Sequence, residues 1–144
     1  MLPETMNKKA KVLIVDDSQV VLSFHKAMLE QNGYETECAI NGFEALERFS
    51  TEKFDLIITD VNMPKMDGRE AIKAIKSDPQ FKQIPVIVFT TSASEDDIQS
   101  SYLQGVNTYF TKPTMFKDLV EMISVIKTYW LEKAALTPLN FYIR

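Results

Sequence analysis

Three carboxylates and one ammonium each stand where an apolar run stops. Asp16 and Asp17 close Lys11-Val-Leu-Ile-Val, Asp60 closes Phe54-Asp-Leu-Ile-Ile-Thr, Thr90 ends Pro85-Val-Ile-Val-Phe-Thr, and Lys112 follows Val106-Asn-Thr-Tyr-Phe-Thr. If parallel neighbouring strands carry these residues, the carboxylates share one small space. Like charges so close raise one another's pKa unless something positive sits among them, and a divalent cation with oxygen ligands plus one lysine meets that need. A carboxylate placed there can attack a phosphoryl group and hold it as an acyl phosphate. Asp60 is the candidate nucleophile. Asp16, Asp17 and Asp60 are the candidate Mg2+ ligands, joined by the backbone carbonyl of Asn62. Lys112 supplies a point charge that pairs first with Asp60 and then with phosphoryl oxygens. The Thr90 hydroxyl can turn toward the new group.

The elements that must position these residues follow from periodicity. The β-branched runs read as strands buried on both faces. Ser18 caps a helix with Val20, Val21, Phe24 and Met28 on one face, ending at Asn32-Gly33. Tyr34 to Ala39 is a short strand, and Asn41 caps a helix with Phe43, Leu46 and Phe49 inward. Asn62-Met-Pro-Lys-Met-Asp-Gly68 is rich in turn formers and predicts a loop before a helix over Arg69 to Lys76. Ser94-Glu-Asp-Asp97 starts a helix to about Gln104. The last helix carries Phe116, Leu119, Val120, Ile123 and Ile126 and runs to Leu131. Five strand–helix units in succession predict an α/β fold, a doubly wound five-stranded parallel sheet with helices on both faces. Only the second strand carries no candidate residue. Order 2-1-3-4-5, the flavodoxin-like arrangement, sets the others over the centre of the carboxyl edge, where open α/β sheets bind ligands.

The bulk properties exclude several classes. The 144 residues suffice for one domain with a sizeable core. At 45% hydrophobic and 25% charged the composition is that of an ordinary globular chain. A net charge of -4 without a basic block argues against nucleic acid, whose binding is driven by neutralised phosphates. The single Cys38 makes no internal disulfide and reads as a small hydrophobe. No leader or membrane span is evident, so the expected setting is the cytoplasm and no membrane partner is expected. His25 lacks a second histidine or cysteine and reads as a packing or surface residue rather than a ligand.

Val15-Asp-Asp17, the Asp60-x-x-Met-Pro-x-Met-Asp-Gly68 loop, Pro85 to Thr90 and Lys112-Pro113 together resemble the receiver domain of two-component response regulators, with a CheY-like layout. The resemblance covers roughly residues 11 to 131, leaving tails at 1–10 and 132–144. It implies phosphorylation of Asp60 by a sensor histidine kinase or phosphotransfer protein, loss of the phosphoryl group to water, and movement of Thr90 coupled to an aromatic residue, here Tyr109. It implies a regulator that catalyses only its own phosphorylation and dephosphorylation and signals by contact with a downstream protein. Thr91 and Ser92 depart from common residues at those positions, so the resemblance sets no lifetime for the phosphate. Thr90 to Asp97, Val106 to Lys112 and Tyr129-Trp130-Leu131 also resemble a single-domain branch that includes regulators paired with bacterial phytochromes. Lys112-Pro113 is a candidate cis bond, since X-Pro bonds lose most of their trans preference.

Two other functions compete. A Mg2+-dependent aspartyl phosphatase of small phosphoesters would carry a second acid two residues after the nucleophile, and Asn62 stands there instead. A flavodoxin-like cofactor binder would need a phosphate-cradling loop after the first strand, and Asp16-Asp17-Ser18 is too acidic for one. A degenerate receiver is disfavoured by the intact set Asp16, Asp17, Asp60, Thr90 and Lys112. The apolar tail residues Leu136, Leu139, Phe141, Tyr142 and Ile143 suggest packing on the body or across a homodimer.

Overall fold

The computed structural model describes residues 10–63 and 68–136. Strands β1 (Lys11–Val15), β2 (Glu35–Ala39), β3 (Leu56–Thr59), β4 (Val86–Thr90) and β5 (Thr108–Thr111) alternate with helices α1 (Gln19–Gln31), α2 (Gly42–Thr51), α3 (Gly68–Ser77), α4 (Glu95–Leu103) and α5 (Phe116–Ile126). All strand pairs are parallel, in the order β2-β1-β3-β4-β5. Strand order therefore reverses between β1 and β3, the place where such sheets open a crevice at their carboxyl ends.

Alternation along the central strands divides the apolar interior in two. Leu13, Val15, Ile57, Val86 and Val88 pack with Ala45 and Phe49 of α2 and Ile72 and Ile75 of α3. Val12, Ile14, Leu56, Ile58, Ile87 and Phe89 pack on the other face with Val21, Leu22 and Leu29 of α1 and Leu119, Ile123 and Ile126 of α5. Burying both faces explains why β1, β3 and β4 read as continuous apolar runs rather than alternating ones.

The expected caps are present. Ser18 accepts from the Val21 amide, Asn41 from Glu44 and Ser94 from Asp97, while Gly33 takes the positive φ of 88° that follows α1. Helix faces differ in detail from expectation. Val20 and Phe43 are each 59% exposed. The inward stripe of α1 runs through Val21, Leu22, His25 and Leu29, and that of α2 through Ala45 and Phe49, so residues one or two positions earlier turn outward. Phe116, also expected inward, is exposed and meets the Phe24 ring edge-on.

The chain past Ile126 does not simply extend α5. Residues Lys127–Lys133 form a π-helix. Within it Trp130 and Leu131 are partly buried and pack against the α1 and α5 core. Tyr34 donates its hydroxyl to the Leu131 carbonyl at 3.3 Å, tying this segment to the start of β2. The tail residues Leu139, Phe141, Tyr142 and Ile143 lie outside the described residues, as do positions 64–67 of the loop after β3. Among the described residues every peptide bond is trans, Lys112–Pro113 included, against the cis expectation. No helix among them is long and apolar enough to cross a membrane.

Candidate functional site

Parallel pairing in register brings the strand ends together. The Asp16 amide donates to the Ala39 carbonyl at 3.0 Å and the Asp60 amide to Val15 at 2.8 Å, so both acids continue their strands before the chain turns away. One carboxylate oxygen from each of Asp16, Asp17 and Asp60 lies within 4.8 Å of the others. Asp16 and Asp60 are buried and Asp17 is exposed. Asp16 Oδ1 accepts from the Ser18 amide at 2.9 Å, and Asp60 Oδ1 accepts from the Asn62 amide at 2.9 Å.

Lys112 enters from the end of β5, its own amide donating to the Thr90 carbonyl at 2.6 Å. Its Nζ bridges the two buried carboxylates, 2.6 Å from Asp16 Oδ2 and 3.0 Å from Asp60 Oδ2. The pairing with Asp60 that the sequence predicts is present, and the ammonium is shared with Asp16, at the closer distance. Burial opposes the charge on Lys112, but hydrogen bonding and attraction to Asp16 and Asp60 overcome it and raise the Lys112 pKa. Burial likewise raises the Asp16 carboxyl, against the pull of Lys112. One ammonium thus leaves the pocket short of positive charge. Three hard oxygen donors at this spacing suit a divalent cation of the Mg2+ or Mn2+ type, which binds carboxylates and keeps waters.

Thr90 ends β4 with no exposed surface and accepts, through Oγ1, from the Ser92 amide at 3.4 Å. Tyr109, on β5, is half-buried against the α2 and α3 face, with its hydroxyl donating to the Ser92 carbonyl at 2.8 Å. Burial raises its phenol pKa. His25 is buried, as the packing reading expects. Its ring meets Phe89 edge-on at 5.3 Å, and Nδ1 lies 3.2 Å from the Val21 carbonyl. Burial lowers its pKa to about 4, so the ring is neutral at pH 7. Cys38 is half-buried beside the same core, and burial raises its thiol pKa.

Three residues at the rim carry contacts that the sequence reading did not assign. Arg69, in the first turn of α3, donates to the Val61 carbonyl at 3.3 Å and to Asn62 Oδ1 at 3.1 Å, and pairs with Asp97 Oδ1 at 2.7 Å. Asp97 Oδ2 accepts from the Ser92 hydroxyl at 2.6 Å. The sequence signal for Asp97 was only its place in an acidic first turn, which a cap explains equally well.

A family profile described as response regulator receiver domain matches residues 12–124. The chain is similar to response regulator Rcp1 of Synechocystis sp., at 35% identity over 144 residues, covering 94% of this chain and 98% of that protein. Among solved structures, the Mn2+-bound form of response regulator Rcp1 matches with TM-score 0.84 at 36% identity, over 90% of this chain and 99% of that one. The phosphorylated cyanobacterial phytochrome response regulator RcpA matches with TM-score 0.85 at 35% identity, again over 90% and 99%.

Proposed function

The chain belongs to the response regulator receiver family, and from that premise we propose that it is the phosphoacceptor of a two-component signalling system in the cytoplasm. Asp60 takes the phosphoryl group from a histidine kinase or phosphotransfer protein. The phosphorylated chain then acts on a downstream protein by contact. The observation that carries this reading is the Lys112 ammonium held between Asp16 and Asp60 beside the exposed Asp17. A purely structural lysine would not need three carboxylates, and three carboxylates would not gather for stability alone.

The steps assigned to the chain's own residues follow from that geometry. Asp60 presents a carboxylate whose Oδ1 is oriented by the Asn62 amide and whose Oδ2 faces Lys112. As the phosphoryl group arrives, an Asp60 oxygen forms the new O–P bond while the P–N bond to the donor's histidine breaks and returns its electron pair to the imidazole, and Lys112 moves its charge from Asp60 to the incoming oxygens. The Lys112–Asp16 contact keeps the ammonium tethered during that exchange. Mg2+, held by Asp16, Asp17, Asp60 and the carbonyl of Asn62, would neutralise charge on the transferred group when bound. Thr90 turns its hydroxyl toward the new phosphoryl group, and the β4–α4 loop and Tyr109 follow it. The chain acts on no substrate beyond its own Asp60. Kinship with Rcp1 and RcpA supports a phytochrome-type kinase as the class of donor to try first.

The test is intact mass after incubation with Mg2+ and acetyl phosphate. Wild type gains one phosphoryl group and Asp60→Asn gains none. Turnover of acetyl phosphate without a phosphorylated protein would favour the phosphatase reading instead.

A further inference from the structure

A second polar route joins the phosphoacceptor loop to the switch residues, by way of α3 and α4. It begins at Asp60, whose Oδ1 holds the Asn62 amide. Arg69 grips the same loop at the Val61 carbonyl and at Asn62 Oδ1. Its guanidinium crosses to Asp97 on α4, and Asp97 holds the Ser92 hydroxyl. Ser92 in turn receives the Tyr109 hydroxyl on its carbonyl and presents its amide to Thr90 Oγ1. Every link is a hydrogen bond or ion pair between neighbours, running from the loop after β3 to the loop after β4.

Helix α4 is the element most open to such a tether. Ser101 is the only residue of α4 that is fully buried, whereas α1 and α5 each bury several apolar side chains. Its position therefore depends more than theirs on the contacts of its first turn: the Ser94 cap, the acidic Glu95, Asp96 and Asp97 favoured at a helix N-terminus, and the bridge to Arg69. The side chains of Arg69 and Asp97 are 32% and 23% exposed, so the bridge is partly shielded from water and still free to exchange partners.

We infer that Arg69 and Asp97 are a positioning pair that couples the cation-binding loop at Asn62 to the resting position of Ser92 and Tyr109. This rests on the reading of Asp16, Asp17 and Asp60 as a Mg2+ site. A cation drawing on the Asn62 backbone moves the atoms that Arg69 grips, and the movement passes through Asp97 to Ser92 and Tyr109. Linkage makes the effect reciprocal: a change that shifts Ser92 and Tyr109 from their resting position alters cation affinity by the same factor. A partly exposed pair changes such an equilibrium by up to about fivefold.

The test labels tyrosines with 3-fluorotyrosine, assigns Tyr109 with Tyr109→Phe, and follows its fluorine resonance during titration with Mg2+. Wild type is compared with Arg69→Gln, Asp97→Asn and the double variant, each checked for an unchanged thermal midpoint. Expected is a Tyr109 shift on Mg2+ binding in wild type that falls to about half or less in each single variant at saturating Mg2+, with no further loss in the double variant. A full Tyr109 response in both single variants, or none in wild type despite Mg2+ binding, would overturn the inference. Absence of Mg2+ binding in wild type would instead remove the proposed function on which it stands.

Discussion

The Lys112 ammonium lies closer to Asp16, at 2.6 Å, than to Asp60, at 3.0 Å. The phosphoacceptor candidate is therefore the looser of the two partners. Asp16 anchors the cation, and Asp60 keeps an oxygen that can be given up to an incoming group without freeing Lys112 altogether. The same arrangement makes the pocket a place where removal of one charge leaves others stranded.

Lys112→Met keeps the aliphatic stem and removes the charge. Asp16 and Asp60 are then buried without a counter-ion, which costs about 3 kcal/mol of stability at pH 7. Urea midpoints should show that loss, with recovery on adding Mg2+ or on lowering the pH until a carboxyl protonates. A loss independent of both would mean that Lys112 contributes packing and not charge.

Asp17 is the exposed member of the trio and the one with least structural work. Asp17→Asn is expected to leave metal-free stability unchanged or slightly raised while weakening Mg2+ binding by about tenfold or more. Calorimetric titration measures both the affinity and the enthalpy. Unchanged affinity would take Asp17 out of the ligand set.

Thr90 is fully buried with its hydroxyl on the Ser92 amide, so Thr90→Ala should cost only about 1 kcal/mol of stability. Its larger effect should fall on signalling: phosphorylation would still occur, but the Tyr109 fluorine resonance would respond weakly. A response as large as that of wild type would separate Thr90 from the switch.

His25 ties stability to acid. Its folded pKa of about 4 lies below the ordinary 6.5 because burial disfavours the imidazolium. The neutral ring is fully compatible with the fold above pH 6.5, and the stability it permits is lost progressively as pH falls from 6.5 toward 4, a total of about 3 kcal/mol. Asp16, with its raised pKa, acts in the opposite sense. It does so in both proteins, so the comparison of wild type with His25→Leu isolates the histidine. The variant should show a flatter acid limb in urea midpoints between pH 7 and pH 4.5; parallel curves would mean that His25 is charged in the fold.

The sheet and most of the candidate site were legible in the sequence because their signals are local and strong. Runs such as Val12 to Val15 read as strands buried on both faces, the ordinary condition of a parallel sheet between helices, and a carboxylate ending such a run has few places to go. The pairing of Lys112 with Asp60 was legible for the same reason, while its closer hold on Asp16 depends on side-chain reach that spacing does not encode. Val20 and Phe43 are apolar and so read as inward, yet each falls just off a stripe whose phase is set by tertiary packing. The π-helix from Lys127 has no signature in the local pattern, which reads as a plain continuation of α5 toward Leu131. Arg69 and Asp97 are 28 positions apart in sequence and meet only because α3 and α4 both start at the carboxyl edge; nothing near either residue announces the other.

The proposed chemistry makes Asp60 itself an acyl phosphate. Borohydride reduces such a linkage to an alcohol, converting the modified aspartate to homoserine, which peptide mapping locates. Treating the protein with acetyl phosphate and Mg2+ and then with borohydride should place homoserine in the peptide that contains Asp60, and nowhere in the Lys112→Met or Asp60→Asn proteins at comparable yield. Homoserine at Asp16 or Asp17, or none in wild type, would contradict the account.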